Sequence, residues 1–202
     1  MAFVVFDTEF LADYGLFEPG FDGWKNREVV QIAAIKVSDN LDVMEELNIY
    51  IKPKLHARLS DYFINLTGLT DKLINKEGIS FPQAYERFSS FVGDLDCYSH
   101  SWGAPSCSDI GDGKVMAETI SYYDISDTGS LRYKNIAPWF RSSYDGRGIN
   151  IKEQASGDIA RLLGQEDTLK ALGLNNHNAL YDVYSILSGL RFLNFKPSSG
   201  IT

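Results

Sequence analysis

The first fifty residues contain three apolar segments with the length and composition of β-strands. Residues 2–6 form a continuous apolar run rich in Val and Phe, which is typical of a strand buried on both faces. Residues 29–37 are rich in β-branched side chains and end at the turn sequence Ser38-Asp39-Asn40, and residues 44–52 resume the strand pattern. The sequence therefore predicts a buried first strand followed by a hairpin over residues 29–52.

Helical spacing of apolar residues dominates the chain after Pro53. Ser80 has the chemistry of an N-cap, and Ala84, Phe88 and Val92 follow it at helical spacing. A short strand is predicted over residues 97–103. Further helices are predicted over residues 114–123, 133–140, 151–163 and 179–192. Strands come first and helices dominate later, which indicates one mixed α/β domain.

The composition is that of a folded domain. The 202 residues are 44% hydrophobic and 13% aromatic, which supplies a sizeable core and excludes a disordered chain. We expect residues 1–202 to form a single domain. Three irregular segments are expected within it: a flap at 11–26 containing three glycines, a second insertion at 104–111 and a tail at 195–202.

The charge argues against a protein that coats nucleic acid non-specifically. Lys and Arg total 19 against 27 Asp and Glu, a formal net charge of −8, whereas such binding needs many cationic contacts to phosphates. Two cysteines are too few for a disulfide framework. No basic leader opens the sequence, and no apolar run reaches the roughly 20 residues that a membrane span needs. We therefore expect a cytoplasmic protein without a membrane partner.

Two acids lie one residue apart where the first strand is predicted to end. Side chains two apart on a strand point to the same face, so Asp7 and Glu9 direct their carboxylates to one place. Two adjacent negative charges are costly unless a partner neutralises them, and a hard divalent cation such as Mg²⁺ prefers carboxylate oxygens. The alternative is a strand end whose acids face water.

A second polar group lies where the last helix begins, in His177-Asn178-Ala179-Leu180-Tyr181-Asp182. His177 and Asp182 are five residues apart, about 500° of helical rotation, so they do not share a face if both are helical. They converge if Asn178 is the N-cap and His177 lies in the preceding loop. The alternative is an exposed loop histidine beside an ordinary helix acid.

A third acid is needed between these two groups if they form one site. Asp109 and Asp112 both follow the strand predicted at 97–103 and precede a helix. The set Cys97, His100 and Cys107 lacks a fourth ligand and fits no strong zinc spacing, so buried cysteines explain it better.

The order of these motifs resembles the DEDD exonuclease superfamily in its histidine-containing DEDDh branch. That family has an Asp-x-Glu motif on its first strand, a middle Asp, and a His-x4-Asp motif near the C-terminus. The segment Leu66-Thr67-Gly68-Leu69-Thr70 and the strand at 27–37 are similar to the family's connecting segments, especially in the ERI-like and KapD-like exonucleases. The resemblance covers residues 3–190 and implies a ribonuclease H-like mixed sheet flanked by helices. Matched to the family's motifs, the site residues are Asp7, Glu9, Asp112 (with Asp109 as the fallback), His177 and Asp182.

The resemblance implies a metal-dependent 3′–5′ exonuclease that releases nucleoside 5′-monophosphates from single-stranded RNA or DNA. Two Mg²⁺ or Mn²⁺ ions about 3.5–4 Å apart would stabilise the attacking and leaving oxygens. Asp7, Glu9 and Asp182 would form the tighter metal site and Asp112 the looser one. His177 would accept a proton from the attacking water, and its loss would cost on the order of 10²–10⁴-fold in rate.

Phe10 and Thr8 are the candidate substrate contacts, because terminal nucleotides are held by stacking surfaces more than by many charges. Some members of the family are dimers, so a homodimer stays open. Two alternatives also stay open. One is a non-catalytic nucleic-acid-binding or regulatory module on the same fold, because the middle motif departs from the family pattern. The other is a phosphodiesterase for very short oligonucleotides.

Overall fold

The computed structural model describes residues 2–12, 26–101, 111–126, 131–149, 155–171 and 173–196. Five strands lie within these ranges: β1 (Phe3–Leu11), β2 (Glu28–Val37), β3 (Val43–Tyr50), β4 (Asp96–Ser99) and β5 (Arg132–Asn135). The helices of the described ranges are α1 (Asp61–Thr67), α2 (Asp71–Glu77), α3 (Phe81–Val92), α4 (Asp112–Tyr122), α5 (Ala137–Asp145), α6 (Asp158–Leu162), α7 (Glu166–Ala171) and α8 (Ala179–Leu193).

The strands form one mixed sheet in the order β3-β2-β1-β4-β5. β1 pairs with β2 and β2 with β3 in antiparallel fashion, whereas β1–β4 and β4–β5 are parallel pairs. The predicted hairpin of the second and third strands is therefore confirmed. β1 is the central strand, so its residues are covered on both faces of the sheet, which explains its continuous apolar run.

The alternation of side chains along β1 divides the core between the two faces of the sheet. Phe3 and Val5 lie in a cluster with residues of α5, α6 and α8, and we call this side the α8 face. Val4 and Phe6 lie in a second cluster with residues of α3 and α4, which we call the α4 face. Because the period of a strand is two, residues 7 and 9 continue the α8 face and residue 8 continues the α4 face.

Close packing brings α8 against its neighbours on the α8 face. A Cβ atom at Gly189 of α8 would lie 2.5 Å from Phe140 Cε1 and 2.8 Å from Ile159 Cγ2. Only glycine leaves room for the aromatic ring of α5 and the side chain of α6 at that position. This packing holds the second half of α8 against α5 and α6.

A third apolar cluster covers the far end of β1. Leu11 and Val30 pack against Leu59 and Phe63 at α1 and against Ile74 of α2. β1 therefore continues beyond the acids instead of ending at them, which corrects the prediction of a strand over residues 2–6 and of a flap beginning at residue 11. Nine residues of β1 pair with β2, and these pairs hold the acids inside the strand.

The sequence prediction is wrong over residues 133–140, where one helix was expected. The structure has strand β5 up to Asn135 and a helix only from Ala137, with Pro138 in its first turn. Parallel pairing of β5 with β4 overrides the local helical pattern. Residues 151–154 of the helix predicted at 151–163 lie outside the described ranges, and in the described remainder the helix is α6 (Asp158–Leu162). The strand predicted over 97–103 ends at Ser99.

Several predictions fall on residues outside the described ranges. They are the flap between residues 13 and 25, the insertion at 104–110, the fallback acid Asp109 and the tail beyond residue 196. Among the described helices, none combines the length and the apolar character needed to cross a membrane.

Candidate active site

The first two acids of the candidate site lie side by side on the α8 face of β1. Asp7 pairs with Ala33 of β2 and Glu9 pairs with Gln31, so regular antiparallel pairing holds both residues. The register shifts directly after Glu9, between Glu9 and Phe10. Such a bulge increases the local twist of the strand next to the acids.

The third acid is brought to β1 by the first turn of α8. Asn178 is the N-cap of this helix, which is the condition that the sequence set for the convergence of His177 and Asp182, and its side chain accepts a hydrogen bond from the backbone N–H of Leu180. Asp182 is one turn further along and is buried. A carboxylate in the first turn is also favoured by the positive end of the helix dipole.

A buried glutamine ties the start of α8 to the sheet. Gln31 of β2 accepts a hydrogen bond of 3.2 Å from the N–H of Ala179 at its Oε1 atom. Its Nε2 atom donates to Oδ1 of Asn178 at 3.2 Å and to Oδ1 of Asn48 at 2.9 Å. Because Gln31 also pairs with Glu9 across the sheet, this network sets the position of α8 relative to the acids of β1.

Asp7, Glu9 and Asp182 form one cluster, in which one carboxylate oxygen from each residue lies within 4.8 Å of the other two. Burial raises the pKa values of all three carboxyls, and their mutual repulsion adds to the rise for Asp7 and Glu9. For Asp182 the pKa rises to about 7, chiefly through burial. Three carboxyls in this arrangement repel one another as anions and are stabilised by a proton or a cation.

The residues fit a divalent cation by their chemistry and by one unsatisfied atom. Oδ1 of Asp182 is buried and has no hydrogen-bond partner. Buried polar atoms without a partner are rare and costly in folded proteins. This oxygen is therefore suited to coordinate a cation. Three carboxylates within ligand distance of one another are the donor set that hard ions such as Mg²⁺ and Mn²⁺ prefer.

The loop before α6 closes the cluster next to Asp182. The Ser156 hydroxyl donates a hydrogen bond of 2.8 Å to Oδ2 of Asp182. At Gly157 a Cβ atom would clash with the Asn176 side chain and would lie 2.5 Å from Oδ1 of Asp182. Only a residue without a side chain therefore allows this loop to approach the carboxylate so closely.

Asp112, the preferred middle acid, lies outside the cluster of three. It is the first residue of α4, and its Oδ1 atom accepts hydrogen bonds from the N–H of Thr8 at 3.1 Å and from the Thr8 hydroxyl at 2.6 Å. Its Oδ2 atom accepts from the Ser101 hydroxyl at 3.1 Å. Burial raises the pKa of Asp112, and these hydrogen bonds oppose the rise. Asp112 is nevertheless close enough to add to the raised pKa values of Asp7 and Glu9.

His177 lies in the loop directly before the N-cap, as the convergence hypothesis requires. Its φ angle of 61° is in the left-handed region, which is uncommon for a residue other than glycine. Its backbone N–H donates to Oδ1 of Asn176 at 2.9 Å. The half-buried ring has a lowered pKa because of desolvation, which nearby Asp158 opposes. The imidazole is therefore held in the neutral form that can accept a proton near neutral pH.

The predicted substrate contacts lie on the α4 face. Phe10 is half-buried and packs against the cluster of that face. The hydroxyl of Thr8 is engaged by Asp112, so its predicted contact with substrate stays a prediction.

Burial raises the pKa of Cys97 to about 12 and lowers that of His100 to about 4.

Sequence reasoning missed three residues that hold the acids in place: Gln31, Ser101 and Ser156. Gln31 carried a signal, because a polar side chain interrupts an otherwise apolar strand. Ser156 carried none, since it contacts Asp182 across 26 residues of chain. A contact of that separation is decided by the packing of α6 and α8 and not by local pattern.

Comparison with known proteins places the fold and the family. The sequence model of the exonuclease family RNase_T matches residues 4–188. A DNA polymerase III of the PolC type from Staphylococcus haemolyticus is 24% identical over 176 residues, which are 86% of this chain and 11% of that protein. The chain thus spans about a tenth of the length of the curated relatives that it matches.

Solved structures share the fold at low sequence identity. The nuclease domain of 3′hExo, a DEDDh family member bound to rAMP, has a TM-score of 0.66 and 17% identity, with 95% of this chain and 90% of that chain covered. The zinc-bound form of the E. coli ExoI–ssDNA complex has a TM-score of 0.66 and 18% identity, with 94% and 40% covered. The predicted ribonuclease H-like fold of the DEDD exonucleases is confirmed.

Proposed function

Because this chain belongs to the exonuclease family RNase_T, we propose that it removes nucleoside 5′-monophosphates from the 3′ end of single-stranded nucleic acid. The observation that carries the proposal is the cluster of Asp7, Glu9 and Asp182 with the unsatisfied Oδ1 atom of Asp182. The proteins of similar fold were solved with rAMP and with single-stranded DNA, which supports a nucleic-acid substrate for this chain as well.

The acids of the cluster hold divalent metal, with two Mg²⁺ or Mn²⁺ ions as the proposed occupants. When bound, such ions lower the pKa of a coordinated water and neutralise charge on the attacking and leaving oxygens. Asp7, Glu9 and Asp182 provide the tighter position. Asp112 would provide the looser position, because hydrogen bonds already engage both of its oxygens.

His177 accepts the proton of the attacking water on its imidazole. Its lowered pKa keeps the ring unprotonated at neutral pH, so the lone pair needed for proton transfer is present. The backbone N–H of His177, in the loop before the N-cap, is bonded to Asn176. This bond engages the backbone and leaves the imidazole ring available for proton transfer. Phe10, directly after Glu9, provides an aromatic surface for the terminal base, and Thr8 holds Asp112.

The test is hydrolysis of single-stranded RNA and DNA labelled at the 5′ end, in Mg²⁺, in Mn²⁺ and in EDTA. We expect a ladder that shortens from the 3′ end only with metal, nucleoside 5′-monophosphates as products, and no shortening when the 3′ end is blocked. Asp7→Asn purified in parallel controls for contaminating nucleases. Binding without cleavage would instead support a non-catalytic module, and cleavage of dinucleotides alone would support a phosphodiesterase for very short oligonucleotides.

A further inference from the structure

The hydroxyl group of Ser156 holds one of the two oxygens of the Asp182 carboxylate. Ser156 Oγ donates to Oδ2 of Asp182 at 2.8 Å, and it is the one side-chain donor to that carboxylate found in the described residues. The backbone of His177 also opposes the rise in the pKa of Asp182. The remaining oxygen, Oδ1, is buried without a partner. The same hydroxyl is close enough to Asp7 to oppose the rise in its pKa, so Ser156 lies between two of the three acids.

A second serine fixes the position of the first. The Ser185 hydroxyl, one turn after Asp182 on α8, donates to the backbone carbonyl of Ser156 at 2.6 Å. It also accepts from the N–H of Ala160 in α6 at 2.8 Å. Ser185 is completely buried, so these bonds do not exchange with water. The loop that carries Ser156 is thereby attached to the helix that carries Asp182.

The loop that carries Ser156 and Gly157 approaches the Asp182 carboxylate closely. The absence of a side chain at Gly157 lets the backbone lie against Asp182 Oδ1 and Asn176. The resulting arrangement engages one oxygen of the carboxylate and leaves the other without a protein donor. A carboxylate free to rotate about its Cβ–Cγ bond would exchange the two oxygens.

We propose that Ser156 is a positioning residue, whose hydroxyl fixes the Asp182 carboxylate so that one oxygen stays available to a divalent cation. The inference rests on the proposed metal-dependent function of the same cluster. Partners of metal ligands orient those ligands, and losing one costs about 10–100-fold in metal affinity or activity. Ser185 acts one step further out, by holding the loop of Ser156.

The test measures Mn²⁺ binding to the full chain without substrate, by electron paramagnetic resonance of free Mn²⁺ or by calorimetry. We expect Ser156→Ala to weaken Mn²⁺ binding about 10-fold. We expect Ser156→Thr, which keeps the hydroxyl, to restore most of the affinity. Ser185→Ala should weaken binding in the same direction but less, because the Ser156 hydroxyl itself remains.

Ser188→Ala is the matched control. Ser188 lies on α8 like Asp182, is 7% exposed as Ser156 is, and donates only within its own helix to the carbonyl of Tyr184. Melting temperatures in EDTA show whether each variant is folded. If Ser156→Ala binds Mn²⁺ as Ser188→Ala does, the inference is overturned.

A double-mutant cycle separates positioning from general structure. In an Asp182→Asn background the Ser156→Ala change should have a much smaller effect on Mn²⁺ affinity, because its route through the Asp182 carboxylate has been removed and only its weaker interaction with Asp7 is left. An equal loss in both backgrounds would show that Ser156 does not act through Asp182. A wild-type chain that binds no Mn²⁺ would contradict the proposed function and the inference together, whereas normal wild-type binding with an unaffected Ser156→Ala variant contradicts only the inference.

Discussion

Asp112 and Asp182 each lie in the first turn of a helix that packs against β1, on opposite faces of the sheet. Asp112 meets Thr8, which continues the α4 face, and both of its oxygens accept hydrogen bonds. Asp182 lies on the α8 face with Asp7 and Glu9, and one of its oxygens has no partner. Both residues are acids at the start of a helix. Both carboxylate oxygens of Asp112 accept hydrogen bonds, whereas one oxygen of Asp182 accepts none.

The difference between Asp112 and Asp182 shows that hydrogen-bond donors decide which buried acid is available to a cation. A buried carboxylate requires donors or a cation, because desolvation of the charge is otherwise too costly. The side chains of Thr8 and Ser101 both donate to Asp112, whereas among the described residues Asp182 has one side-chain donor, Ser156, and two anionic neighbours. We therefore expect the first ion to bind at Asp182 and not at Asp112.

The largest effect expected from this comparison is on metal affinity. Asp182→Asn removes a charge from the open cluster and should weaken the tightest Mn²⁺ binding by on the order of 10³-fold, since a metal–carboxylate contact contributes several kcal/mol. Asp112→Asn should weaken that first binding step far less, because hydrogen bonds already engage its oxygens. Calorimetric titration of both variants measures the ratio. Equal losses would show that the two acids belong to one site from the start.

Removal of the proposed base should separate catalysis from metal binding. His177→Ala should lower kcat on the order of 10²-fold or more while leaving Mn²⁺ affinity within a factor of about two. The reason is that, within the described part of the chain, no hydrogen bond joins the His177 ring to a carboxylate of the cluster. Steady-state kinetics and Mn²⁺ titration on the same preparation provide both numbers. Full turnover in the variant would mean that another group takes the proton.

Two glycines next to the two acids give a matched test of packing. Gly157→Ala places a Cβ atom 2.5 Å from Asp182 Oδ1, so we expect a loss of about 1–3 kcal/mol in the free energy of unfolding and weaker metal binding. Gly113→Ala, next to Asp112, places a Cβ atom at an ordinary 3.6 Å from Tyr133 Cβ and should be neutral or slightly stabilising. Urea unfolding of both variants measures the difference, and a tolerated Gly157→Ala would mean that the loop can move.

The smallest effect expected is a pH dependence of stability. Without metal, the folded chain holds protons on Asp182, whose pKa is raised from 3.8 to about 7, while the unfolded chain has released them. Stability should therefore fall as pH rises from the ordinary to the raised pKa of Asp182, by a few degrees in melting temperature. Asp7 and Glu9, whose pKa values are also raised, should lower stability in the same direction.

His177 makes the opposite contribution to stability. Its pKa is lowered in the folded state, so below its ordinary value of 6.5 its contribution raises stability as pH rises. It is a single group against several carboxyls, so the fall should dominate. Melting curves in EDTA from about pH 5 to about pH 8 measure the trend, and saturating Mg²⁺ should reduce it by replacing protons with a cation. Asp182→Asn should flatten the metal-free curve. A melting temperature that climbs with pH in EDTA would contradict the pKa directions on which the comparison rests.

Local patterns were reliable where a short-range rule decides the structure. The period of two on β1 predicted that Asp7 and Glu9 share a face, and the helical spacing of apolar residues predicted that α8 begins near Ala179. Of the two alternatives left open for His177, the structure has the one with Asn178 as the N-cap and His177 in the preceding loop. The β-branched run of β2 and the turn after it predicted the hairpin. Each of these rests on interactions within a few residues, which the sequence states directly.

Local patterns failed where distant pairing competes with propensity. Residues 133–135 have a helical pattern, but the edge of β4 recruits them into the sheet. β1 extends to Leu11 because β2 and the cluster at α1 and α2 cover its far end. No local signal distinguishes a strand that stops at an acid from one that continues past it, since the deciding partners lie elsewhere in the chain.

The sequence by itself determined the set of acids, their order, the face that Asp7 and Glu9 share and the family to which the chain belongs. Only the tertiary structure decided that Asp182 keeps an open oxygen while Asp112 is bonded to Thr8 and Ser101, and that Ser156 holds the carboxylate. The physical reason is that helix and strand periodicity are fixed by neighbours along the chain. The satisfaction of a buried charge depends instead on which hydroxyls and backbone groups packing brings within about 3 Å.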